Sequence, residues 1–190
     1  MYRNDLRPTI VTSFIEEFNL HGPKLTLDKV ASRIHISKKT IYRFFRSKDD
    51  IYAYLLNEAC TMIHREQSAI AADPNRSTRQ KIIDILTIPS VYETRMDISK
   101  LPMLETESPA IFKNFLHAFE ISWNDVSSLL LQGQEEGIVK KDINVPLAVG
   151  YLEGCLQHLF ITPLLKTAKL TYTEAIHQLV DTFLFGAFVE

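Results

Sequence analysis

Helical spacing of apolar residues runs through this chain, and no segment shows the alternation that is typical of strands. Near the N-terminus, Ile10, Val11, Phe14, Ile15 and Phe18 lie on one stripe at helical spacing. The pattern predicts an amphipathic first helix, which the following glycine–proline pair ends. The chain is therefore expected to be all-α.

Three hydroxyl residues mark the starts of the next helices. Thr26 precedes a short apolar helix, Ser37 precedes a third helix, and Ser47 precedes a long fourth helix with Asp50 in the capping-box position. His35 stands in the tight turn between the second and third helices. Two short helices joined by such a turn, packed on a preceding helix, make a helix-turn-helix unit.

The rest of the chain predicts a helical bundle, with about nine helices in all. The pattern from residue 111 to about residue 137 predicts one long helix there. The last two helices, 146–165 and 171–189, carry more apolar surface than a small bundle covers from within, and Gly150 and Gly154 leave room for a neighbouring helix. We expect them to pair two copies of the chain, although they can also be explained as internal core. The predicted domains are residues 1–47 and residues 48–190.

The charge distribution changes this picture more than the composition does. The net charge of −2 over 190 residues argues by itself against a nucleic-acid partner. Positions 1–50, however, hold ten Lys or Arg against six Asp or Glu, and positions 26–48 hold seven basic residues against Asp28 alone. A basic block in an acidic chain is typical of polyanion binding, although a solvated cationic face remains an alternative.

The residues of this block resemble the DNA-binding signature of the TetR-type (TetR/AcrR) transcriptional regulators. The matching positions are Thr26-Leu27, Val30-Ala31, Ile34, Ile36-Ser37-Lys38-Lys39-Thr40-Ile41-Tyr42-Arg43, Phe45, Ser47-Lys48 and Ile51. His35 departs from the glycine that the family usually has in the turn. The resemblance implies a homodimeric repressor that binds a palindromic operator and leaves it when a small molecule enters the C-terminal bundle.

The resemblance also assigns residues to the DNA. It implies phosphate contacts at Thr26, Thr40, Tyr42 and Lys48. The recognition helix opens with Ser37, Lys38 and Lys39, where base contacts concentrate, and Arg43 is a further candidate.

An effector pocket is predicted among the aromatic and polarisable residues of the bundle, although core packing explains most of them equally well. The candidates are Phe112, Phe115, Phe119, Trp123, Tyr151, Cys155 and His158. The effector itself is unknown.

Other functions are weaker alternatives. Cys60 with His64, and Cys155 with His158, have the spacing of a shared helix face, so a zinc-sensing site would exist if the two helices met. An effector-independent DNA-binding dimer is a further alternative. No phosphate loop, zinc-protease motif or nucleophile elbow occurs, so we predict no enzyme, catalytic residue, metal or cofactor. A helical enzyme that uses Cys60 or Cys155 with a distant histidine is the weakest alternative. The sequence has neither a signal-peptide pattern nor a membrane-spanning stretch, which predicts a cytoplasmic protein without a membrane partner.

Overall fold

The computed structural model describes residues 5–88, 96–120 and 123–188, apart from the side chains of 118–120. These residues form eleven α-helices, and their only extended pairing is an isolated bridge between Val139 and Phe188. The all-α fold is confirmed. The helices are α1 (Arg7–His21), α2 (Leu27–Arg33), α3 (Lys38–Ile41), α4 (Lys48–Ala72), α5 (Thr78–Leu86), α6 (Leu104–Glu107), α7 (Pro109–Glu120), α8 (Asn124–Glu135), α9 (Val145–Ile161), α10 (Leu164–Ala168) and α11 (Tyr172–Ala187).

The single long helix expected from residue 111 to about 137 is wrong. Two helices, α7 and α8, occupy this part of the chain, and Trp123 is the residue before α8. Apolar positions continue with helical spacing from one helix into the next, so the pattern alone does not reveal the break. The very short helices α6 and α10 also raise the number above the nine expected.

The three predicted N-caps are confirmed. The hydroxyl oxygens of Thr26, Ser37 and Ser47 each accept a hydrogen bond from the backbone N–H three residues later, at 3.4, 3.1 and 3.0 Å. Asp50 does not complete a capping box, because its carboxylate accepts from the backbone N–H of Arg46 instead. These caps satisfy amide groups that a helix start leaves without partners.

His35 takes the left-handed conformation that the turn requires, with φ of 54°. The backbone N–H of Ile36 donates to the carbonyl of Ala31 at 3.0 Å and closes the end of α2. This chain reversal is usually made by glycine, because a side chain in that conformation is strained.

The core of the N-terminal part lies between α1 and the helix-turn-helix unit. Phe14, Phe18, Val30 and Ile41 are fully buried. At the edge of this core, the Arg33 guanidinium on α2 contacts the buried Glu17 carboxylate on α1 at 2.7 Å. An ion pair with one buried partner fixes the two helices against each other.

The N-terminal part is joined to the bundle by more than the continuous helix α4. The Asn19 side chain of α1 accepts from the backbone N–H of Asp97, and the Lys100 ammonium donates to the Asn19 carbonyl. At the start of α4, the Asp49 carboxylate accepts from the Ser108 hydroxyl at 3.0 Å. The short 3-10 helix Ile98–Met103 therefore lies against the end of α1.

The bundle ends with α9, α10 and α11. Thr171 and Glu174 form a capping box at the start of α11, and these hydrogen bonds from Thr171 lower the pKa of Glu174. Within the described residues, no helix combines the length and the apolar character that crossing a membrane requires.

Candidate nucleic-acid interface and ligand cavity

The recognition helix α3 is a single turn with an exposed basic start. Lys38 and Lys39 are exposed, and so is Arg43, two residues after the end of the helix. The Lys38 ammonium contacts the Asp28 carboxylate of α2 at 2.8 Å, and this hydrogen bond raises the pKa of Lys38. Lys38 is thus drawn toward α2, whereas Lys39 forms no such ion pair within the part of the chain that the structure describes.

The residues implied in phosphate contacts have different surroundings. Thr26 is exposed, and Tyr42 has 48% of its surface exposed. Thr40 is half-buried, with its hydroxyl 2.9 Å from the Ser37 hydroxyl. The half-buried Lys48 donates to the carbonyl of Pro23 at 2.7 Å, which leaves two ammonium N–H groups for another acceptor.

A cavity of about 180 Å³ lies in the bundle beside α4. One face of α4 forms its longest wall, with Tyr52, Leu55, Ala59, Cys60, Ile63 and Gln67. The other walls come from α5, the 3-10 helix Ile98–Met103, α7, α8, α9 and α11. The α4 wall is not predictable from the sequence, because its apolar stripe is equally typical of ordinary core.

The predicted effector residues do not share one site. Phe115 and Trp123 line the cavity beside α4, whereas Tyr151, Cys155 and His158 line a second cavity among α9, α10 and α11. Phe112 is buried in the core. The side chain of Phe119 lies outside the described residues.

Tyr52 connects the cavity to the N-terminal core. Its ring packs edge-on against Phe14 at 4.8 Å and against Phe18 at 6.1 Å between ring centroids. Burial, with the nearby carboxylates of Asp49 and Glu107, raises the pKa of Tyr52, so its hydroxyl stays protonated. One side chain therefore belongs both to the cavity wall and to the packing of α1.

The two Cys–His pairs lie at different cavities. Cys60 and His64 line the cavity beside α4, whereas Cys155 and His158 line the second one. Among the residues with described side chains, no three His, Cys, Asp or Glu residues are grouped as metal ligands. Burial raises the pKa of Cys60, which favours the inert thiol over the reactive thiolate.

An apolar surface runs along α9 and α11, and we call it the α9–α11 face. Leu147 and Phe185 are 74% and 88% exposed on it. A Cβ atom built on Gly150, Gly154 or Gly186 would meet nothing within 4 Å. The described residues of this chain thus leave that face open.

Comparison with known proteins agrees with this geometry. Residues 10–55 match the family model of the bacterial regulatory proteins, tetR family. No curated protein sequence matches the chain significantly.

Solved structures match over nearly the whole chain. The ketosteroid transcriptional regulator KstR2 of Mycobacterium tuberculosis is 17% identical, with a TM-score of 0.69 over 98% of this chain and 97% of that one. A TetR/AcrR-family regulator from Thermobifida fusca is 24% identical, with a TM-score of 0.67 over 95% and 97%. FadR from Bacillus subtilis, solved with stearoyl-CoA, is 17% identical, with a TM-score of 0.62 over 93% and 97%.

A helix-turn-helix module joined to a helical bundle is the fold of a DNA-binding regulator. Residues 10–55 match the TetR-family DNA-binding domain, and the chain as a whole has the fold of the TetR/AcrR transcriptional regulators. The resemblance found in the sequence is confirmed.

Proposed function

We propose that the protein is a homodimeric repressor that binds a palindromic operator and is released by a small molecule in the bundle. The observation that carries the proposal is the capped helix-turn-helix module, whose α3 exposes Lys38 and Lys39. Residues 1–47 act as the DNA-binding domain, and residues 48–190 bind the effector and the second copy. We place the protein in the cytoplasm and assign it no enzymatic activity.

Roles at the DNA follow from exposure and chemistry. Lys39 and Arg43 are long, exposed donors at the recognition helix, and such donors hydrogen-bond guanine edges in the major groove. Ser37 and Lys38 also lie at its start, where Lys38 must exchange Asp28 for a DNA acceptor. Thr26, Thr40, Tyr42 and Lys48 contact phosphate in this proposal. Two modules span successive major grooves about 34–36 Å apart.

Dimerisation is assigned to the α9–α11 face, residues 146–165 and 171–189. Its exposed Leu147 and Phe185 would be covered by the same surface of a second copy, as two-fold symmetry requires. The open Gly150 and Gly154 allow a partner helix to approach closely.

Release by an effector needs a connection between cavity and DNA module. Tyr52 packs on α1, and the 3-10 helix Ile98–Met103 both lines the cavity and, through Lys100, bonds to Asn19 of α1. A ligand lowers DNA affinity only if it binds the DNA-incompetent arrangement more tightly than the competent one. The solved neighbours named for a ketosteroid and bound to stearoyl-CoA support a small-molecule effector in this fold.

The test is selection of an operator from a random DNA pool, followed by fluorescence anisotropy over a series of salt concentrations. We expect affinity to fall steeply with salt, because each neutralised phosphate releases counterions. Lys39→Ala should weaken binding, whereas Lys141→Ala, which removes an exposed charge in the bundle, should not.

Failure to enrich any sequence, or equal losses in both variants, would refute the DNA-binding assignment. An operator whose binding no cavity ligand affects would instead favour the effector-independent regulator.

A further inference from the structure

The cavity beside α4 is elongated. Tyr52 and Gln67 both line it and lie fifteen positions apart on the same helix. At a rise of about 1.5 Å per residue, their Cα atoms are about 22 Å apart along the axis of α4. The residues between them, such as Leu55, Ala59 and Ile63, are apolar. A ligand that fills this space is long and mainly hydrocarbon.

The described wall offers no counter-charge. None of its residues is Asp, Glu, Lys or Arg, and its one histidine, His64, is solvent-exposed. An ionised group placed among the apolar residues between Tyr52 and Gln67 would lose its hydration without gaining an opposite charge from the wall, which is unfavourable. The cavity therefore selects against carboxylates and cations.

Three buried polar atoms, in residues of the wall, have no hydrogen-bond partner among the described residues. They are the Tyr52 hydroxyl, the Gln67 side-chain oxygen and the Trp123 indole N–H, in residues only 4%, 6% and 8% exposed. Buried polar groups are nearly always paired, so three such atoms in residues that line one cavity indicate a ligand that pairs with them. Tyr52 and Trp123 can donate, and the Gln67 oxygen accepts.

We propose that this cavity binds an uncharged, elongated, mainly hydrocarbon molecule with a hydrogen-bonding oxygen near each end. The oxygen at one end bonds to the Tyr52 hydroxyl. The oxygen at the other end belongs to a hydroxyl group, which donates to the Gln67 side-chain oxygen. The Trp123 indole N–H donates to a further acceptor on the same molecule. This assignment rests on the proposed effector function, for which it specifies the ligand class. It differs from an acyl-CoA or free fatty acid site, because both of those ligands carry negative charge.

The experiment uses Trp123, which is the only tryptophan of the chain, as an intrinsic fluorescent reporter. The purified full chain is titrated with dodecane-1,12-diol, dodecan-1-ol, dodecanoate and dodecyltrimethylammonium, which share one chain length. We expect the diol to bind at least as tightly as the mono-alcohol, because the second hydroxyl finds a partner. The two ions should bind at least tenfold more weakly than the mono-alcohol.

Two variants test the ends separately. Tyr52→Phe keeps the ring that packs on α1, and Gln67→Leu keeps a similar volume, so both retain Trp123 as reporter. Each should weaken diol binding three- to tenfold, which corresponds to one lost hydrogen bond. Tyr54→Phe and Gln80→Leu make the same changes outside this cavity and should leave diol binding unchanged.

Several results would overturn the assignment. They are no binding of either alcohol, a diol far weaker than the mono-alcohol, dodecanoate as tight as the alcohol, or equal losses in the Tyr54→Phe and Gln80→Leu variants. These titrations contain no DNA, and the operator selection contains no ligand. Failure of the ligand class and failure of the regulator function are therefore distinguishable.

Discussion

His35 occupies a backbone conformation that side chains adopt with strain, at the turn on which the recognition helix depends. The family resemblance pointed to this position, because the family usually has glycine there and glycine adopts the left-handed conformation most readily. Histidine retains the reversal, and the closing hydrogen bond from Ile36 to Ala31 is present.

We predict that His35→Gly stabilises the protein by about 0.5–1 kcal/mol. Glycine removes strain of about 1–2 kcal/mol at positive φ. Part of this gain is offset, because glycine makes the unfolded chain more flexible and so stabilises the unfolded state. His35→Val should be destabilising, since β-branched residues tolerate this conformation least. Urea unfolding measures both changes, and a less stable His35→Gly variant would contradict the argument.

Lys48 and Lys39 have different predicted roles. Lys48 bonds to the Pro23 carbonyl, so Lys48→Ala should lower the free energy of unfolding by about 0.5–1.5 kcal/mol as well as flatten the salt slope of DNA binding by about one unit. Lys39→Ala removes an exposed side chain and should reduce discrimination between operators without lowering stability. Urea unfolding and anisotropy separate the two effects. An unchanged slope in Lys48→Ala would remove Lys48 from the phosphate contacts.

The recognition helix shows how an element can depend on its cap. α3 contains only four residues, which is too short to be stable without the Ser37 cap and its packing. The predicted caps were confirmed because capping is local in sequence. The break between α7 and α8 could not be predicted, because apolar spacing continues across it.

We predict that Ser37→Ala destabilises the protein by about 1 kcal/mol and weakens operator binding several-fold, since α3 is then less populated. Ser77 caps α5 in the bundle in the same way, with a hydrogen bond of 3.2 Å from Gln80. Ser77→Ala should therefore lower stability similarly while leaving DNA affinity unchanged. Thermal unfolding and anisotropy of both variants provide the comparison, and equal DNA affinities in the two would argue against α3 as the recognition element.

The α4 wall marks the limit of prediction for the candidate site. Its apolar positions were visible in the sequence, but a stripe facing a cavity has the same periodicity as a stripe facing core. Gln67 was not predicted, because nothing in the sequence distinguishes a buried glutamine from an exposed one. Trp123 and Phe115 were predicted for a pocket and line this one, whereas Tyr151, Cys155 and His158 line another.

At the scale of the whole molecule, the α9–α11 face is the surface that a second copy would cover. We predict that Phe185→Glu weakens dimerisation at least tenfold, because it buries an unpaired charge at the interface. Leu131→Glu changes a half-exposed residue on α8 and should leave the dimer intact. Sedimentation of the two variants tests this, and a wild-type chain that is monomeric at micromolar concentration would refute the interface.

The charge of the molecule is divided along the same lines as the proposed roles. The basic positions 26–48 coincide with the helix-turn-helix unit, and positions 51–190 hold seventeen acidic against eleven basic residues. A duplex would repel the bundle and attract the module, which orients the encounter. Net charge alone concealed this, because the two parts nearly cancel.

Tyr52 has a consequence that extends beyond the ligand. Its ring packs in the core beside α1, and the same residue lines the cavity. A single rotamer of Tyr52 therefore serves both the core and the cavity wall. Linkage is reciprocal: whatever factor a ligand at Tyr52 removes from operator affinity, the operator removes from ligand affinity. Under the proposed function, a protein bound to its operator would therefore need a higher ligand concentration than the free protein. The ligand concentration at which the cell responds would then depend on how many operator copies it carries.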